Sequence, residues 1–206
     1  IEYGAEVAWL GMVLTRPEYR GRGFAKHLLQ QLLAPSRREQ TIYLDATTEG
    51  EPLYAKFGFV AESVVRRWQG TPSGTSPTAP SGSCRADLDR RAFGADRESC
   101  LRQLCAASQV FSVADGSFAC YRPGRLRSHL GPVVATTVES AEQVVRRALS
   151  KAEAVCWDIP DNNAAAQQLA ESLGFQPVRR LVRMRRGAPL DACVEMQFGL
   201  AGFEYG

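Results

Sequence analysis

Residues 9–33 constrain this chain more than any other stretch. The apolar run Trp9-Leu10-Gly11-Met12-Val13-Leu14 turns through Thr15-Arg16-Pro17-Glu18-Tyr19 into Arg20-Gly21-Arg22-Gly23-Phe24-Ala25, and the amphipathic Lys26-His27-Leu28-Leu29-Gln30-Gln31-Leu32-Leu33 follows at once. This order predicts a strand, a glycine-rich turn and a helix. Glycines let a backbone approach a ligand closely, and the first N–H groups of a helix have no partner within it. Such a turn can hold an anion. It is not the Walker loop, because no Gly-Lys-Ser/Thr closes it, and not the dinucleotide fingerprint, because Arg20 stands where the first glycine belongs.

The segments that follow predict more of the same alternation. Residues 41–45 read as a buried strand, 51–57 as a short helix stopped by Gly58, and 59–68 as a further strand. Strands alternating with helices favour an α/β (α+β) fold, a sheet with parallel pairs covered by helices. From 70 to 83 every residue is Gly, Ser, Thr, Pro or Ala. That composition has no apolar surface to offset the entropy of ordering, so 70–83 is expected to be a flexible linker between a part spanning 1–69 and a part spanning 84–206. The second part predicts helices over 87–93 and 97–107, with Asp96 capping the latter, and a hairpin of 110–114 and 117–121 around Asp115-Gly116. A strand over 126–135 leads to a capping box, Thr136-x-x-Glu139, on a helix ending near Ser150. A strand over 154–159, a helix over 163–173 stopped by Gly174, and a strand over 178–184 complete it. The arginines 179, 180, 183, 185 and 186 on that last strand predict a solvated face or a protected edge.

Composition narrows the function classes. With 206 residues, 45% of them hydrophobic, the chain can bury a sizeable core. A net charge of +3 is too weak to argue for nucleic acid, and no apolar run approaches the roughly 18 residues of a membrane span. The six cysteines (84, 100, 105, 120, 156 and 193) form no Cys-x-x-Cys pair and only two histidines exist, so no metal site is expected. Reduced thiols, a cytoplasmic setting, and Cys120 and Cys156 as small core residues are the expectation.

Arg-x-x-Gly-x-Ala opening a helix after a strand resembles the pyrophosphate-binding loop of the GNAT superfamily of N-acetyltransferases. A second likeness supports it. Leu44-Asp45 leading to Leu53-Tyr54-Ala55-Lys56-Phe57-Gly58-Phe59 shares its layout with Trp157-Asp158 leading to Leu169-Ala170-Glu171-Ser172-Leu173-Gly174-Phe175. Each is strand, helix, Gly-Phe, strand, so the chain reads as two GNAT-like domains with a degenerate repeat. GNAT domains commonly carry an asparagine at the start of this helix and a tyrosine before the Gly-Phe. The first copy has Thr47 and Tyr54 there, the second Asn163 and Ala170. In the second copy residues 130–139 lack the Arg-x-x-Gly-x-Ala, and Glu139 would repel phosphate, so that domain is expected not to bind CoA in the usual way. Leu44-Asp45-Ala46-Thr47, Phe93-Gly94-Ala95-Asp96-Arg97 and the closing Gly199-Leu200-Ala201-Gly202-Phe203 are similar to GNAT proteins that join an acetyl-CoA-binding domain to a divergent acetyltransferase-like one. Because the chain opens at Ile1 almost directly on the key strand, the first strands and helices of such a domain are expected upstream.

The resemblance implies direct transfer of acetyl from acetyl-CoA to a primary amine, a small molecule or a peptide, held in one cleft. It implies Tyr54 as the acid protonating the departing thiolate, against the plainer reading that its ring packs on Phe57 and Phe59. It implies that backbone amides of Met12, Val13 and Leu14 pair with pantetheine, and that those of Arg20, Gly21, Arg22, Gly23, Phe24 and Ala25 meet the diphosphate. Lys26 and His27 are expected at the surface; Glu6 and Glu51 are candidate general bases against the plainer reading of ordinary surface residues, and a chain of waters would serve as well. A homodimer is an open assembly; nucleic acid, membrane and metal are not expected. Two other classes stay open: an acyl-CoA-binding regulator, betrayed by binding without thiol release, and a structural or dimerising fragment, betrayed by no CoA binding.

Overall fold

A computed structural model describes residues 1–33, 40–71, 79, 82–150 and 154–206. The linker expected at 70–83 lies largely outside these residues, and Gly70 belongs to a strand. In chain order the elements are β1 (Glu2–Tyr3), β2 (Val7–Trp9), α1 (Phe24–Leu32), β3 (Thr41–Ala46), α2 (Glu51–Ala55), β4 (Val60–Gly70), α3 (Ala86–Phe93), α4 (Glu98–Ala106), β5 (Gln109–Ser112), β6 (Phe118–Arg122), β7 (Ser128–Val134), α5 (Val138–Ala148), β8 (Val155–Pro160), α6 (Ala164–Ser172), β9 (Gln176–Arg186) and β10 (Gln197–Gly199).

The strands join in one mixed sheet, ordered β1-β2-β3-β9-β4-β8-β7-β6-β5, with β10 paired to β7. The pairs β2/β3 and β7/β8 are parallel and the others antiparallel. The two sequence segments interleave. β9, from the second, lies between β3 and β4 of the first, and β4 in turn lies between β9 and β8. Each half thus completes its sheet with a strand of the other, β9 in the first and β4 in the second.

This placement corrects the protected-edge reading of the arginine-rich strand, while Arg179 and Arg180 are exposed as on a solvated face. β9 is not an edge but sits in the middle of the sheet, and its Arg183 is 8% exposed. Arg183 forms a fork on Asp45, with Nε and Nη2 donating to the carboxylate at 2.9 and 3.0 Å. The other half repeats the device: Arg67 of β4 donates to both oxygens of the fully buried Asp158 at 2.7 Å. In both cases the aspartate and arginine stand directly opposite in the strand register. The two aspartates are the same position of the sequence repeat, so the halves are clamped by a reciprocal pair of charge-assisted forks.

Apolar packing fills both faces. Trp157 and Ile159 of β8 pack on Val144 and Val145 of α5 and on Ala166, Leu169 and Ala170 of α6. Trp157 meets Phe175 edge to face at 5.6 Å. Burying each such side chain contributes roughly 1.5–3 kcal/mol. Ala8, Ile42 and Leu44 carry Tyr54 and Phe57 of the α2 segment, and on the opposite face α3 and α4 cover Phe118, Cys120 and Val134.

Smaller departures have local causes. The strand expected from Trp9 ends there, because residues 10–16 leave β3. The cap of α5 is Thr137, whose side chain accepts from Ser140 N, while Thr136 hydrogen-bonds Asp115 of the hairpin turn. The cysteines are less scattered than their sequence: Cys84 and Cys105 form a disulfide, and the Cys120 sulfur lies 3.5 Å from that of Cys84. Cys120 is buried as expected and Cys156 is half-buried. Among the described residues no helix is long and apolar enough to cross a membrane.

Candidate functional site

The loop after β2 is the most open backbone of the first half. Val7, Ala8 and Trp9 pair with Thr41, Ile42 and Tyr43, and the Leu10 amide donates to the Tyr43 carbonyl at 2.8 Å. The two strands then part. Met12 and Leu14 are 71% and 78% exposed, and Met12 takes φ 59°, a left-handed conformation rare outside glycine. Such strain persists where surrounding structure imposes it, often at a ligand clamp.

Beyond it, Pro17–Tyr19 makes one 3-10 turn, and Gly21 and Gly23 adopt φ 74° and 80°. Gly23 is the N-cap of α1 and offers no side-chain acceptor, so the first amides of the helix face outward. Arg22 stands over the rings of Tyr19 and Phe24 at 5.6 and 5.4 Å, which themselves meet edge to face. Arg20 Nε donates to the Thr15 carbonyl at 3.3 Å. The structure therefore brings Met12, Val13, Leu14 and Arg20 to Ala25 together on one accessible path, with Lys26 and His27 at the surface.

Tyr54 sits on α2, half-buried beside Leu10 on the cluster that covers β2 and β3. Its ring meets Phe59 edge to face at 6.0 Å, as the packing reading expected. Its hydroxyl makes no hydrogen bond among the described residues, and burial pushes the phenol above its usual range. It is thus an uncommitted, protonated donor. Of the two candidate bases, Glu6 lies exposed in the turn before β2 and Glu51 opens α2.

On the opposite face of β2 and β3, Trp9 stacks on Tyr43 at 5.7 Å and Arg183 lies over Trp9 at 4.7 Å. The Tyr43 hydroxyl donates to Glu62 at 3.2 Å and accepts from Leu190 N at 2.9 Å, and burial pushes it up to about 12. A cavity of about 50 Å3 opens here between Trp9, Tyr43, Glu62, Phe93, Arg183 and Gln197.

The second half shows what the same layout does without the loop. β7 and β8 pair over Ser128/Val155, His129/Cys156 and Leu130/Trp157, and then part. Counting back from Asp45 and Asp158, Tyr43 corresponds to Cys156, Trp9 to His129 and Gly11 to Gly131. The gap is filled by β10: Gln197 and Gly199 pair with Val134 and Val133, and Leu200 N donates to the Asp158 carbonyl at 2.8 Å. Asn163 holds the insert, its Nδ2 donating to the carbonyls of Val194, Glu195 and Gln197. Trp157 Nε1 donates to Phe198 O at 2.9 Å, and Gly131 lacks the Cβ that would strike the Leu200 carbonyl. Sequence reasoning missed this insert; its only signal was the Gly199-Leu200-Ala201-Gly202-Phe203 wording.

Comparison with known proteins follows the same division. Residues 86–199 match a sequence family described as an acetyltransferase (GNAT) domain, and residues 1–61 match another with that description. The uncharacterized N-acetyltransferase YitH of Bacillus subtilis (strain 168) is 30% identical over 185 residues, covering 81% of this chain. The chain spans 65% of that relative's length. A crystal structure of a candidate acetyltransferase from Pyrococcus horikoshii superposes with a TM-score of 0.87 at 26% identity, covering all of this chain and 74% of the other. A GCN5-related N-acetyltransferase from Sphaerobacter thermophilus shares the fold at 15% identity, with a TM-score of 0.56 over 85% of this chain and 73% of its own.

Proposed function

Since this chain belongs to the GNAT acetyltransferase family, we propose that it transfers the acetyl group of acetyl-CoA to a primary amine at one site, in the first half. The observation that carries this reading is the contrast between the two partings of the sheet. The first leaves the edge beyond Leu10 without a strand partner beside the bare N-terminus of α1, and the second is filled by β10. The second half is, on this reading, a divergent acetyltransferase-like domain with no room for the co-substrate.

The residues of the first half fit acetyl-CoA. The outward amides from Gly21 to Ala25 hold the diphosphate, with Arg20 and Arg22 adding charge. The unpaired edge of Met12, Val13 and Leu14 pairs with the amides of the pantetheine arm. When bound, acetyl-CoA supplies an activated thioester acetyl group. Tyr54, buried enough to stay protonated and free of other partners, gives its proton to the sulfur as the amine nitrogen takes the acetyl carbon. The amine approaches from the face of Trp9 and Tyr43, where the cavity lies. Holding both partners in one cleft supplies much of the acceleration.

The test is calorimetry with acetyl-CoA on the wild-type chain and Gly23→Val. One molecule per chain is expected for wild type. A β-branched side chain at φ 80° lets the turn relax away from its shape, and affinity is expected to fall about 100-fold, or about 2.7 kcal/mol. Two molecules per chain, or an unchanged affinity in Gly23→Val, would defeat the site assignment. Binding with no thiol release across many amines would instead favour an acyl-CoA-binding regulator, and no binding a structural role.

A further inference from the structure

Transfer needs a group to take the proton that the amine nitrogen loses, and neither Glu6 nor Glu51 faces the parting of β2 and β3 from the Trp9 side. A residue of the segment after β10 lies against that point on the Trp9 side. After β10 the chain crosses from the second half onto the first. Trp9 Nε1 donates to Phe203 O at 3.0 Å, the Tyr3 hydroxyl donates to Tyr205 O at 2.8 Å, and buried Arg97, forked on Asp89, donates to Gly206 O at 2.8 Å. Phe203 lies under Arg67 at 4.3 Å.

Glu204 is the residue this crossing delivers. A Cβ on Gly11 would come within 3.0 Å of the Glu204 Cα and O and 3.3 Å of its Cβ, so Glu204 lies directly against the point where β2 leaves β3. A Cβ on Gly202 would lie 3.1 Å from both carboxylate oxygens. One glycine from each half therefore leaves the space this side chain occupies. The half-buried carboxylate has no hydrogen bond or ion pair among the described residues. Tyr54 packs on the Ala8 and Leu44 face, and Glu204 follows Phe203 along the Trp9 face, so the two groups reach the parting from opposite sides of the sheet.

We infer that Glu204 is the general base of the first half's site, an inference that rests on the acetyl-transfer reading. The nitrogen–carbon bond forms as Glu204 accepts the amine proton, the carbon–sulfur bond breaks, and Tyr54 protonates the sulfur. The carboxylate serves a neutral primary amine, whose nitrogen loses one proton to it as the amide forms. The charged and titratable groups facing this segment are Arg67 of β4, Arg97 with its partner Asp89, Arg122 of β6, Arg179 of β9, Asp158 of β8 and His129 of β7.

The experiment is thiol release from acetyl-CoA with spermidine, 2-phenylethylamine and glycinamide, using the full chain as wild type, Glu204→Gln and Glu204→Asp, with acetyl-CoA affinity measured in parallel. Glu204→Gln is expected to lower kcat about 100-fold, leave acetyl-CoA affinity within about twofold, and flatten the limb of kcat/KM that falls on acidification. Glu204→Asp is expected to keep that limb with a lower kcat. Wild-type kcat and an unchanged pH profile in Glu204→Gln would overturn the base alone. A wild-type chain that releases no thiol with any of the amines would overturn the transfer reading and the base with it.

Discussion

The two halves of this sheet part their strands at equivalent places and do opposite things with the gap. In the first half the edge beyond Leu10 is left unpaired, with Met12 held at positive φ and the bare N-terminus of α1 nearby. In the second, β10 takes up the ladder and Asn163 spends its amide on it. An unpaired backbone donor seeks a partner. On the proposed reading, a parting of this kind is a site only while the chain does not fill it itself, and β10 makes the second half's edge internal structure.

Equivalent positions allow the contrast to be tested, beginning with the largest effect. Arg183→Ala leaves Asp45 buried without its fork and is expected to cost about 3–5 kcal/mol in urea denaturation. Arg67→Ala exposes Asp158 to the same loss, so the two variants should agree closely. A loss confined to one of them would show that the halves are not clamped reciprocally. Next, Tyr54 and Ala170 are the same repeat position, one a phenol and the other a fully buried methyl. Tyr54→Phe is expected to lower kcat about 100-fold while sparing acetyl-CoA affinity, measured by thiol release and calorimetry. An unchanged kcat would leave Tyr54 as packing only.

A further effect is a pH dependence at the filled gap. Desolvation, then the neighbouring Arg122 guanidinium, push the His129 imidazole down to about 3, while its Nε2 hydrogen bonds Leu200 O at 3.2 Å. The folded pKa is depressed below the unfolded value of about 6.5. Stability from this group is therefore complete above about pH 6.5 and declines as pH falls toward about 3, because the unfolded chain takes a proton that the folded chain refuses. Thermal melts should show this decline in the wild type and a shallower one in His129→Gln. At the equivalent position Trp9 does not titrate, so that position of the first half adds nothing to the slope.

Much of the local structure was legible. Gly58 and Gly174 end their helical segments with φ near 82°, Asp115-Gly116 makes the hairpin turn, and Thr41 to Ala46 reads as the buried strand it is. The turn at Gly21 and Gly23 into α1 was readable for the same reason, since glycine spacing and the onset of an amphipathic helix are short-range signals, whereas the strand expected over residues 9–14 ends at Trp9. The arginines of β9 misled because a charged strand looks the same at an edge and in a sheet centre. Only the aspartate waiting on β3 tells the two apart, and Asp45 stands 138 residues from Arg183.

The sequence by itself determined the kinds of element, their order, the loop that can hold an anion and the repeat of strand, helix, Gly-Phe and strand. All of these depend on neighbours within a few turns of chain. Tertiary structure alone decided that β4 and β9 change places between the halves, that β10 closes the second parting, and that Glu204 lies over Gly11. Such pairings are chosen by which buried polar groups find partners once the chain has collapsed, and no local pattern of residues records that competition.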